Sequence, residues 1–207
     1  MPLPLSPTPY RVALETYIDA KDNTRSERID EIFAADAVLT FSLATENIAF
    51  PARTVGAAAI AKTLVSDFGA QYAQCRTYYV CDTLHVSGTE DATDARVDAL
   101  PWLVVMREPA TASLRVGHGV YHWMFARDAA GVRATHLHIH IARMDVVADP
   151  DGVALATLQD GLSYPWLRPE ALSEHFLSIA REVPALAFVE AFSRPVTMPV
   201  ASVSKPK

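Results

Sequence analysis

The chain has 207 residues, half of them hydrophobic and a fifth charged, with a formal net charge of −6. That length suits one domain with a sizeable core, and the acidic balance argues against nucleic acid or an anionic membrane surface as partner. No apolar run reaches the length of a membrane-spanning helix, and the proline-rich start does not read as a secretory signal, so a cytoplasmic location is expected. Cys75 and Cys81 fall in one expected strand, roughly 20 Å apart, too far to bridge.

Residues 1–9 carry four prolines and read as an arm. A helix fits Tyr10 to Asp22, because Tyr10, Leu14, Tyr17 and Ile18 share one helical face. Ser26 can cap a second helix, Glu27 to Ala35, with Ile29, Ile32 and Phe33 inward. Asp36–Leu43 and Asn47–Thr54 read as strands, and Gly56 opens a third helix reaching about Phe68. Tyr72–Val86, Val97–Arg107, Ala112–Arg127 and Val132–Val147 are rich in β-branched and aromatic residues and read as long strands. Pro101 marks an edge or a bulge in the second of these. Asp149-Pro-Asp-Gly152 ends the sheet region; Pro169–Val183 and Pro184–Phe192 read as helical. The expected organisation is an arm (1–9), an α+β domain (10–149), a helical extension packed on it (150–195) and a tail (196–207). The fold class is α+β: a strongly curved, mostly antiparallel sheet wrapped around N-terminal helices.

Three local signatures carry a family resemblance. Ile29-Asp-Glu-Ile-Phe-Ala-Ala-Asp-Ala-Val-Leu39 resembles a helix-to-first-strand passage, Gly56-Ala-Ala-Ala-Ile60 the start of a third helix, and Gly119-Val-Tyr121 with Arg127-Asp128 and Gly131 a last hairpin. Their order and spacing over about residues 8–147 resemble the SnoaL-like group of the nuclear-transport-factor-2-like superfamily. The resemblance implies a cone-shaped, cystatin-like domain around a small-molecule pocket, without a cofactor. The group includes isomerases, cyclases, dehydratases, an epoxide hydrolase, a dehydrochlorinase and members of no known activity, so fold alone leaves function open.

Five of the seven histidines, His118, His122, His136, His138 and His140, lie in the last two strands. Alternation puts His136, His138 and His140 on one face and Leu137, Ile139 and Ile141 on the other. Asp128-Ala-Ala-Gly131 fits a three-residue loop pairing Asp128 with Val132; His122 then opposes His138, Met124 opposes His136, and Val120 opposes His140. A two-residue loop would reverse the match. In epoxide-hydrolase-like members the last strand supplies an inward carboxylate seven residues after the turn glycine, which here is His138. The resemblance therefore implies that the histidine face looks into the cone. The row Tyr121, Trp123, Phe125, Leu137 and Ile139 is then outside, covered by a symmetric partner or by residues 153–192. The competing reading makes that row core and leaves the histidines on a solvated face.

The inward reading makes His122 and His138 an acid–base pair, with His136 beside them, Tyr78 as a hydrogen-bond donor, and His118, Val120, Met124, His140 and Tyr17 lining the ligand. Dehydratase-like members carry an aspartate near the end of the first helix, whose counterpart is Asp19. Against it, Asp19 falls opposite the apolar helix face, where an aspartate is ordinarily solvated. The family's third-strand histidine and asparagine correspond to Tyr78 and Asp82, so the usual His–Asp dyad is not intact. His-x-His is also a zinc pattern, but the expectation is no metal. Two functions stay open: a cofactor-independent acid–base isomerase, cyclase or dehydratase of a small, largely apolar hydroxy- or keto-compound, or a non-catalytic binding or dimerisation module. A homodimer is expected in either case.

Overall fold

The computed structural model describes residues 6–88, 93–128 and 131–197. The chain opens with helix α1 (Thr8–Asp22) and a 3₁₀ stretch (Ser26–Glu31), then strands β1 (Phe33–Leu43) and β2 (Arg53–Val55). Helix α2 (Ala57–Ala61), a π turn (Lys62–Ser66) and helix α3 (Asp67–Gln71) follow as one run. Strands β3 (Ala73–Val80), β4 (Asp94–Glu108), β5 (Ser113–Asp128) and β6 (Gly131–Ala148) come next. Helix α4 (Val153–Gln159), strand β7 (Trp166–Leu167), helix α5 (Pro169–Glu182) and a 3₁₀ stretch (Pro184–Phe192) close the chain. The strands form one open seven-stranded sheet in the order β2-β1-β6-β5-β4-β3-β7. β1 runs parallel to β6 and β7 parallel to β3; the other pairs are antiparallel. Among the described residues no helix is long and apolar enough to cross a membrane.

The element order expected from the sequence is the one observed, with local differences. The second expected helix shrinks to the 3₁₀ stretch, because Phe33 is already pairing with Ala134 of β6. Ile29 and Ile32 are nonetheless buried. Pro101 lies in the central strand β4, and the bulge between Val97 and Leu100 adjoins it; of edge and bulge, the bulge is what occurs. A short helix, α4, forms where none was assigned, and Asp149 accepts bonds from the backbone N–H of Ala154 and Leu155 at 3.1 and 3.0 Å, satisfying two helix-end donors.

The sheet is covered on both faces. Helix α1 lies across the inner face, where its apolar stripe meets the aromatic row of the last hairpin. Tyr10 packs edge-on against Phe125 at 5.3 Å between ring centres and Tyr17 against Trp123 at 5.0 Å. The Tyr79 hydroxyl donates to the Leu14 carbonyl at 3.0 Å and pins the helix to β3. On the outer face, Tyr78, Leu103, Val105, Leu114 and Val116 pack beneath Leu158, Phe176, Val189 and Phe192 of the C-terminal extension. The extension covers only the β3–β4 side and the beginning of β5. The remainder of the outer face carries Thr40, Ser42, His122, Met124, His136, His138 and His140.

This corrects the expected orientation of the hairpin. Tyr121, Trp123, Phe125, Leu137 and Ile139 are buried beneath the chain's own first helix, and the histidines face outward. Hydrophobic alternation, which puts the aromatic row in the core, outweighs the family position of His138. The cross-strand partners, by contrast, are those expected: His122 with His138, Met124 with His136, Val120 with His140. They arise differently. Asp128 pairs with Gly131, giving a two-residue loop, and a bulge between Met124 and Phe125 then restores the match. The extra residue is Thr135, whose hydroxyl donates to the Met124 carbonyl at 3.3 Å.

Candidate functional site

The cavity lies under the inner face, not beside the histidines. It measures ≈ 40 Å³ and is walled mainly by Phe41, Ile48, Leu64, Val104, Ile139 and Met144, with Tyr17, Lys21, Thr77, Trp102 and Tyr121 as its polar members. A second cleft of ≈ 140 Å³ shares Ile48, Phe50 and Phe68 with it and is rimmed by Thr63, Asp67, Gln71 and Tyr72. These shared residues are the wall between cavity and surface. A ligand of ordinary size, about 300 Å³ or more, enters only if that wall moves.

Lys21 is the charge in this apolar setting. The apolar stripe of α1 runs Tyr10, Leu14, Tyr17, and its next position is Lys21, so the helix delivers an ammonium where periodicity calls for a core residue. Lys21 Nζ lies 2.7 Å from Asp22 Oδ1, 3.5 Å from Cys75 Sγ and 4.6 Å from the centre of the Phe68 ring. The Lys21 and Asp22 side chains are 7% and 1% exposed. Burial works most strongly against the ammonium, but the adjacent Asp22 carboxylate, together with Cys75 and Tyr17, holds the Lys21 pKa above the ordinary lysine value. Lys21 is therefore a permanent cation at neutral pH.

Asp22 is enclosed by donors. Its Oδ1 accepts from Lys21, from the Cys75 thiol at 3.2 Å and from the Thr77 hydroxyl at 3.0 Å. Its Oδ2 accepts from the Thr77 backbone N–H at 2.6 Å and from the Tyr164 hydroxyl at 3.0 Å. A carboxylate so committed positions its neighbours rather than collecting a proton from a substrate. Cys75 is no nucleophile either: burial first, and Asp22 next, push its thiol up to about 12. Among the described residues the Tyr78 hydroxyl, the Trp102 and Trp123 indole N–H groups and His118 Nδ1 are buried without a hydrogen bond, and of these only Trp102 lines the cavity. The Tyr17 hydroxyl, also buried at the cavity, has the Tyr121 phenol beside it. Burial raises the Tyr17 phenol to about 12, so it remains a donor.

The residues expected to form the site are scattered. Tyr17 alone lines the cavity. His122, His136, His138, His140 and Met124 stand on the outer face, separated from the cavity by the sheet. Val120 is fully buried on that outer side. His118 sits there too, under Phe192 at 4.8 Å between ring centres. Tyr78 points outward beneath the C-terminal extension, edge-on to Tyr164 at 5.8 Å; its strand neighbours Thr77 and Tyr79 take the inner side. Asp19 is tied to Arg25 at 3.0 Å, to Arg28 and to Asn23, on the far side of α1. Its place near the end of the first helix makes it the family counterpart by resemblance, yet Asp22, four after buried Ile18, is the aspartate that turns inward. Among the described residues, no three histidine, cysteine, aspartate or glutamate side chains are placed to hold one metal ion.

Comparison with known proteins agrees with this architecture. A putative scytalone dehydratase from Novosphingobium aromaticivorans superposes with a TM-score of 0.55 at 15% identity, covering 70% of this chain and 92% of that one. Hexachlorocyclohexane dehydrochlorinase LinA-type3 from Novosphingobium barchaimii gives 0.54 at 15% identity, covering 67% and 90%. A nuclear-transport-factor-2-like superfamily protein from Salmonella enterica gives 0.52 at 12% identity, covering 63% and 88%. At these identities the likeness is one of fold. No curated protein matches the chain. The SnoaL-like domain matches residues 11–138, from the first turn of α1 to His138 within the histidine row of β6, and the chain therefore belongs to the SnoaL-like domain family.

Proposed function

We propose that this chain is a cofactor-independent isomerase or dehydratase of small, largely apolar hydroxy- or keto-compounds, with Lys21 as the fixed electrophile. The observation that carries the reading is a set of donors facing a largely apolar cavity: a buried ammonium, the Trp102 N–H with no partner of its own, and the Tyr17 hydroxyl beside Tyr121. A buried unpaired polar group costs about 1–3 kcal/mol; an oxygen of a bound ligand would relieve that cost at Trp102. In a water-poor cavity, preorganised donors stabilise charge that develops on oxygen, as in an enolate or a departing hydroxyl. Asp22 holds the ammonium charged and in place. The dehydratase and dehydrochlorinase among the fold relatives are lyases by their names, in keeping with this class.

A second reading, a non-catalytic binding module, is favoured by one observation: among the described residues no imidazole or carboxylate lines the cavity to take a proton from carbon. The two are separated by incubating the protein with a panel of cyclic ketones in deuterated water and following loss of the α-proton NMR signals. The enzyme reading expects exchange above the buffer rate that falls about 10²–10³-fold in Lys21→Met, the usual loss for one oxyanion donor. Ketones that bind, as shown by a raised melting temperature, yet exchange no faster than in buffer would assign the chain to the binding module.

A further inference from the structure

The outer half-face left bare by the C-terminal extension carries an ordered polar array. Thr40 and Ser42 of β1 stand opposite His138 and His140 of β6 across the parallel seam. Their side chains alternate in one unbroken line. His136 Nε2 meets Thr40 Oγ1 at 2.9 Å, and Thr40 Oγ1 meets His138 Nδ1 at 2.8 Å. His138 Nε2 meets Ser42 Oγ at 2.9 Å, and Ser42 Oγ meets His140 Nδ1 at 2.8 Å.

The number of hydrogens decides what this line can hold. A neutral imidazole brings one N–H, and a hydroxyl has one hydrogen to give. Three neutral imidazoles and two hydroxyls therefore supply five hydrogens to four hydrogen bonds. The fifth sits on an outer nitrogen, His136 Nδ1 or His140 Nε2. Which one it occupies fixes the direction of every bond, because each hydroxyl that donates to one side must accept from the other. One added proton is absorbed without losing a bond: both outer nitrogens then carry hydrogen. The positive charge rests on His136, His138 or His140 according to how the two hydroxyls are turned. A second added proton finds no place unless one of the four bonds opens.

We propose that His136, Thr40, His138, Ser42 and His140 form a single proton-binding site of capacity one, which shares its proton along the β1–β6 seam. A proton taken up at His136 Nδ1 is matched by one released from His140 Nε2 when every bond in the line reverses, so the array also conducts along its length. The surrounding charges act on the midpoint but do not enter the line. Arg53 of β2 stands opposite Thr40, and Arg96 of β4 is opposite Met124, which pairs with His136. The His122 ring of β5 lies 6.0 Å from that of His138 and has Asp98 of β4 at 3.5 Å. Burial, then Arg53, lowers the pKa of His136; burial, then the neighbouring imidazoles, lowers that of His138. Acidification thus gives this line one positive charge, and a further charge only by separating β1 side chains from β6.

The test is imidazole ¹⁵N NMR on the full chain between pH 8 and pH 4. Resonances of His136, His138 and His140 should move together with one midpoint, each with a partial amplitude, the three amplitudes amounting to one proton. The second proton should enter at least about one pH unit lower, a tenfold weaker affinity. Ser42→Ala should release His140 to titrate alone at full amplitude, leaving His136 and His138 to share one proton. Three separate full-amplitude titrations in the wild-type chain would overturn the proposal whatever the variants do. So would shared wild-type titration that Ser42→Ala leaves unchanged, since the coupling would then not run through the hydroxyl.

Discussion

Replacing Asp22 by asparagine preserves side-chain shape and removes the charge that Lys21 faces at 2.7 Å. The ammonium then stays in a setting where its side chain is 7% exposed, with Cys75, Phe68 and an amide for company. An asparagine also offers one acceptor oxygen and an NH₂ donor, whereas all five groups around Asp22 donate. Breaking a buried ion pair by removing one partner costs about 3–5 kcal/mol, mostly from the charge left behind. At about 2–4 °C per kcal/mol for a domain of this size, the melting temperature at pH 7 should fall by about 6–20 °C. Thermal and urea denaturation of the wild type, Asp22→Asn and the double variant Lys21→Met/Asp22→Asn measure this. The double variant should recover most of the loss, because a neutral thioether replaces the stranded cation. Asp22→Asn within about 1 kcal/mol of wild type would refute the reasoning: that is the range of an exposed pair, and Lys21 would not be the isolated cation on which the site is built.

Two further outcomes follow from the packing. Burial first, and the Arg143 charge next, lower the His118 pKa from the ordinary 6.5 to about 4. The native state therefore binds fewer protons there than the unfolded chain, and stability is lost as pH falls from about 6.5 toward 4, by up to about 3 kcal/mol. His118→Leu should flatten that part of the stability–pH curve; an unchanged curve from urea unfolding at several pH values would contradict the assignment. Gly119→Ala should be strongly destabilising, because a Cβ there would meet the His140 carbonyl oxygen at 1.9 Å and Trp102 Cζ2 at 2.8 Å. Overpacking of this kind costs about 1–3 kcal/mol or more, and a melting temperature equal to wild type would show that the β5–β6 spacing yields.

Element order was legible from period, except that the short strand Trp166–Leu167 extends the sheet past its expected end at Gly152; the cross-strand partners of the last hairpin are those expected only because the Thr135 bulge makes up for a loop one residue shorter than the turn residues suggested. Which face of the hairpin is core was legible as well, in the run Tyr121, Trp123, Phe125 against Leu137, Ile139, Ile141, but the family position of His138 argued the other way. Burial of three aromatic rings is worth more than one inherited orientation. The site itself was hidden by residue type. A lysine in the last turn of a helix ordinarily complements the helix dipole at the surface, and only the spacing Tyr10, Leu14, Tyr17, Lys21 marks it as inward. Cys75, Thr77 and Tyr79 alternate toward the same side of β3, yet nothing in that strand shows that an aspartate from α1 will fill the gap between them. Tyr164 reaches Asp22 from beyond the matched family region, through a contact that local pattern does not encode.

The bulge at Thr135 makes the hairpin behave like a reading frame. Val132 and Ala134 face inward at even positions; past Thr135 the inward residues are Leu137, Ile139 and Ile141, at odd ones. A second register shift, between His118 and Gly119 on the facing strand, returns Met144 to the even phase. The histidine row is thus a stretch of shifted phase held between two single-residue insertions. Loss of Thr135 alone would remove the bulge and leave plain alternation, with Ala134 in, His136 out and Leu137 in, so the row would keep its face, whereas loss of a residue inside the row, where no bulge absorbs it, would turn the imidazoles beyond it into the aromatic core. Length changes in this hairpin are therefore tolerated at its two bulges, which can take up or release one residue, and not within the row between them.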